Sequence, residues 1–118
     1  MNEDPLYTKW GEKFDKKAVL TEYPRPQMQR ERWLCLNGEW DFAIDGAETA
    51  SDEWQGKIVV PFSPEAPLSG VHRQLLPGEY LHYRLEFSLP ADYFGGRLLL
   101  HFGAVDQECR VTLNGAEL

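Results

Sequence analysis

Cysteine is scarce in this chain, with two in 118 residues, Cys35 and Cys109. A pair so widely separated makes neither a disulfide framework nor the close Cys/His spacing of a metal site. Each lies in a strand-like apolar run, which predicts buried free thiols, because unpaired cysteine packs as a small hydrophobe. Long apolar runs are lacking as well. Nothing approaches the roughly 18–20 residues that cross a bilayer, and the opening "MNEDPLYTKWGEKFDKK" has no apolar segment of signal-peptide type. With Met1 as the native start, the expectation is a cytoplasmic protein without a membrane partner. Positive charge is in deficit: 12 Lys+Arg against 19 Asp+Glu give a net charge of −7. A phosphate backbone demands clustered cations, so nucleic acid is not expected as a partner.

Catalytic signatures are missing too. His72, His82 and His101 fall in separate segments without ligand spacing, so no metal site and no cofactor is expected. There is no glycine-rich phosphate loop and no Gly-x-Ser-x-Gly elbow. Carboxylates are plentiful, but most fall in turns or on polar strand faces, where solvation accounts for them. A glycosidase-type pair of carboxyl groups must meet in space at about 5–9 Å, and spacing in sequence cannot reveal it.

What is present is a period of two. In "GEWDFAID", Trp40, Phe42 and Ile44 alternate with Asp41, Ala43 and Asp45. "KIVVPF" places Ile58, Val60 and Phe62 on one face, and Pro61 marks a strand end or edge. "YLHYRLEFSL" alternates from Leu81 to Leu89. "RLLLHFGAV" is almost continuously apolar, as a strand buried on both faces would be. "ECRVTL" points Cys109, Val111 and Leu113 inward, and Trp33 and Trp40 are read as core. Asn114-Gly115 carries the signal of a two-residue type I′ hairpin, pairing Leu113 with Ala116, Thr112 with Glu117 and Val111 with Leu118. Short strands between glycine-rich turns predict an all-β antiparallel sandwich. Residues 1–27, ending in "YPRP", read as an extended N-terminal arm. Short helical turns are expected at most in "MQRERW" and at Asp52–Trp54.

One stretch breaks the β rhythm: "PFSPEAPLSGVHRQLLPGEY", Pro61 to Tyr80. Long connections in compact β domains are usually functional or mobile. Glu65, Ser69, His72 and Arg73 supply an acceptor, a hydroxyl and donors of the kind that bind sugar hydroxyls. On residue types alone, the favoured explanation is a proline-rich loop packed over a sheet end with its polar groups solvated.

The series "EYPRPQMQRERW", "LNGEWDFAI", "IVVPFSPEAPLSGV", "YLHYRLEFSLP" and "RLLLHFGAVDQECRVTLNG" resembles the N-terminal sugar-binding domain of glycoside hydrolase family 2, from about residue 6 to the end. That family includes β-galactosidases, β-glucuronidases and β-mannosidases. The resemblance implies a jelly-roll β-sandwich, galactose-binding-domain-like, over residues 28–118 and incomplete at its C-terminus. It also implies a retaining parent enzyme whose two catalytic glutamates lie in a barrel absent from this chain. No catalytic residue is therefore expected here, and Glu65 and Glu79 are not assigned that role. Glu65, Ser69, His72 and Arg73 are expected to face substrate in the intact enzyme. The expected partners are the remaining domains of that enzyme, its carbohydrate substrate and, for the isolated chain, a second copy joined through exposed strand edges. The alternatives are an autonomous carbohydrate-binding module, with Trp10, Trp54, Tyr80 and Tyr93 as available aromatics, and a structural self-association domain.

Overall fold

The computed structural model of the chain describes residues 5–118. Its strands pair antiparallel throughout, and no α-helix forms among the described residues. The chain divides into two compact units, one through Ser88 and one from Leu89 to Leu118.

The first unit is built on a three-stranded sheet of β1 (Gly38–Asp45), β2 (Gly56–Val60) and β3 (Tyr80–Arg84), in the order β2-β1-β3. The alternation in sequence becomes a face because the registers align it. Trp40 lies opposite Ile58, Phe42 opposite Tyr83 and Ile44 opposite Leu81, so one face of all three strands is apolar. Trp40 and Tyr83 meet edge to face with centroids 6.2 Å apart. The other face carries Asp41 opposite both Lys57 and Arg84, and Ala43 opposite His82.

Burial is not confined to one face. Ile58 is 0% exposed, and its neighbours Val59, Ala43 and Ile44 are also buried. Strict alternation predicted Val59 to point outward to water. It is covered because residues 7–19 lie along that side of the sheet. Lys16 pairs with Glu39 at 2.6 Å, the Asn37 amide donates to the Val19 carbonyl, and Val19 itself is buried. Gly38 permits this approach. Its φ is +131°, and a Cβ there would stand 3.4 Å from the Lys16 carbonyl.

At the start of β2 a side chain takes over from the backbone. Gln55 N–H donates to the Phe42 carbonyl at 2.9 Å. Its side-chain amide then accepts from Ile44 N–H at 3.1 Å and donates to the Ile44 carbonyl at 2.9 Å. One residue thus satisfies both backbone groups of a buried strand position.

Several local expectations are corrected. The alternation of "YLHYRLEFSL" forms a strand only as far as Arg84. "MQRERW" and Asp52–Trp54 form no helical turn; the 3-10 turns lie at Gly11–Lys13, Pro67–Ser69 and Ala91–Gly95. Trp33 and Trp40 are half-buried, Cys35 is half-buried and Cys109 is exposed.

The second unit holds the hairpin β4 (Thr112–Leu113) and β5 (Ala116–Glu117), in the register that the Asn-Gly turn predicts. Asn114 and Gly115 have φ of 49° and 81°, as a type I′ turn requires. Leu118 N–H closes onto the Val111 carbonyl at 2.9 Å. The apolar run before it is no strand. Leu98, Leu99, Leu100 and Phe102 are exposed, because burial on both faces needs a layer on each side and this unit supplies only a short hairpin.

Candidate functional site

The loop from Pro61 to Tyr80 is held by its own side chains. Ser69 ends the 3-10 turn and is 0% exposed. Its Oγ donates to the Ala66 carbonyl at 2.7 Å and accepts from Val71 N–H at 3.1 Å. Arg73 N–H donates to the Pro64 carbonyl, and its guanidinium pairs with Glu79. Glu79 also accepts from Leu76 N–H at 3.0 Å. The Glu65 carboxyl is held below the usual carboxylate range by the backbone N–H of Glu65 itself, with the Ser63 hydroxyl and Leu75 N–H. Burial, with a smaller contribution from the Glu65 charge, pushes the Tyr83 phenol up.

The four loop residues singled out in the sequence thus play different parts. Ser69, Glu65 and Arg73 tie the loop together. His72 is exposed, sits at φ +55° and has no hydrogen-bond partner among the described residues. That backbone region is uncommon for a residue with a side chain. His72 is the member of the four whose polar atoms are free for a ligand.

One wall of a neighbouring cleft is made by the same loop. The cleft, of about 820 Å³, is lined by Tyr7, Phe14, Lys16, Glu39, Lys57 and Gly70 among others. Its size is that of small-molecule sites, about 300–1,000 Å³. Aromatic carbon from Tyr7 and Phe14 lies there beside carboxylates and ammonium groups, the mixed lining that a polyol needs.

A second polar constellation crosses the sheet. Asp41 accepts from Lys57 at 2.5 Å and from Arg84 at 2.9 and 3.1 Å. These hydrogen bonds, from Lys57 first and then Arg84, hold its carboxyl below the ordinary value. Arg84 also lies over the Trp54 ring, 4.7 Å from its centroid. The Trp54 indole nitrogen is buried without a hydrogen-bond partner. Along the same strand, Asp45 accepts from Ala47 N–H and faces His82 at 2.9 Å, and these two contacts, in that order, lower its carboxyl. Sequence reasoning offered Trp54 as an aromatic available to sugar, but placed Asp41, Asp45, Lys57, His82 and Arg84 in no site, nor Glu79. The available signal was cross-strand: charges of opposite sign at matching positions of three alternating segments.

Among the described residues, no group of three or more His, Cys, Asp and Glu is placed to hold a metal ion. No helix there is long and apolar enough to cross a membrane. Comparison of the chain with models of protein families and with curated proteins gives no match.

Proposed function

We infer that this chain is the non-catalytic N-terminal sugar-binding and scaffold domain of a retaining β-glycoside hydrolase of the family 2 kind, acting on β-galactosides or β-glucuronides. In that reading its sheet belongs to a jelly-roll sandwich, and hydrolysis is the work of a separate barrel domain. The supporting observation is an order: of the five motif stretches, three overlap β1, β2 and β3 and the last ends in the Asn-Gly hairpin, in chain order. The polar side chains of the Pro61–Tyr80 loop mostly hold the loop's shape, which suits a scaffold. His72, exposed and free, is the residue that would reach substrate in the assembled enzyme. The purified chain is expected to give no turnover of a chromogenic β-galactoside or β-glucuronide. Activity that follows the chain through successive columns would overturn the reading.

The cleft favours a second reading, an autonomous carbohydrate-binding module, because aromatic and polar groups share its lining. Calorimetry with galactosides and oligosaccharides separates the two. Saturable heat that is lost in Tyr7→Ala supports the module, and its absence supports the scaffold.

A further inference from the structure

The second unit contains a stretch with nothing to pair with. From Arg97 to Cys109, no hydrogen bond and no ion pair forms among the described residues. Within it, the eight residues Leu98–Val105 carry no formal charge at neutral pH. Their large apolar side chains stand in the open, from 40% exposed at Leu100 to 63% at Leu99. Bare backbone groups beside exposed branched and aromatic side chains are a template for another strand. Arg97 and Asp106, of opposite sign, bound the stretch, and both are exposed.

We propose that residues 97–106 pair antiparallel with the same residues of a second copy, about a two-fold axis between His101 and Phe102. The stretch is its own complement. In this register each Arg97 lies opposite the other copy's Asp106, so an ion pair closes each end. Leu98 meets Val105, and Leu99 meets Ala104, on shared faces of the new ladder. Leu100 meets Gly103, where the chain bends and where the lack of a side chain eases straightening. Sliding by two residues one way moves Arg97 from Asp106 to Glu108 and sets Asp106 against Leu99; the other way leaves Arg97 against Ala104. The proposed register is the one of the three in which Arg97 and Asp106 are both paired. The contact is isologous, so the same edge of each copy is used and the pairing is that of a two-fold dimer. It is stated for the chain by itself, because in the sugar-domain reading the same stretch belongs to the jelly-roll sandwich.

Sedimentation of the full chain over a range of concentrations tests this. The chain should form a dimer. Arg97→Asp places two acids opposite each other at both ends, and Asp106→Arg places two bases there. Each variant alone should dimerise on the order of tenfold more weakly. An equimolar mixture of the two should recover wild-type association, because every opposed pair is then of opposite sign. Circular dichroism matching the wild type checks that each variant is folded. A chain that stays monomeric, association indifferent to both reversals, or a mixture no stronger than either variant alone overturns the proposal.

Discussion

Asp41 shows how one half-buried carboxylate ties three strands. It sits on the central strand, and the registers bring a lysine from one neighbour and an arginine from the other to its two oxygens. Its folded-state carboxyl is lower than the ordinary 3.8, so folding favours the ionised form. That contribution is complete above the unfolded value and is lost as pH falls through the folded one. Asp45 and Glu65 shift in the same direction. Urea midpoints should therefore drop as pH is lowered below about 4. Asp41→Asn should be less stable than the wild type at neutral pH and lose less on acidification. Parallel midpoint curves for the two proteins would refute this role for Asp41.

Between elements, the turn at Asn114-Gly115 sets a register by conformation alone. Gly115 sits at φ 81° with nothing within 4 Å of a built Cβ, so the cost of a side chain there is backbone strain and not a clash. Gly115→Ala should weaken the hairpin by about 1–2 kcal/mol. Hydrogen exchange of the Leu118 amide, whose partner is the Val111 carbonyl, should quicken roughly tenfold or more. This hairpin was legible in six letters because positive φ is a property of two residues. The faces of β1, β2 and β3 were legible for a similar reason, as a period of two is local. Val59 was not, because its cover comes from residues 40 or more positions earlier. Leu98–Phe102 misled because an apolar run reports that a strand would be buried if layers flanked it, and says nothing of whether they do. The Asp41 and Asp45 contacts needed registers, which alternation alone does not fix. Ser69 was visible as a hydroxyl, but the turn that directs it inward was not.

For the chain as a whole, order follows the hydrogen-bond map. The buried positions Ala43, Ile44, Ile58 and Val59 lie in one sheet, while residues 97–109 make no hydrogen bond among those described. Hydrogen exchange read by mass spectrometry in dilute solution should find the slowest amides in β1 and β2. Amides of 97–109 should exchange close to the unprotected rate. Uniform protection across both units would contradict this map. The same contrast explains how a chain with ample apolar residues keeps a small core: its apolar residues need more layers than its first unit provides.

The Gln55 side chain has a consequence for how this sheet can change over generations. By standing in for a strand residue at Ile44, it ends the β1–β2 ladder with both backbone groups of Ile44 satisfied. The connection from Gly46 to Trp54 is then free of the ladder. Residues can be gained or lost there without shifting Trp40 from Ile58 or Asp41 from Lys57, so length variation between β1 and β2 is a route to new loops that leaves the sheet unchanged.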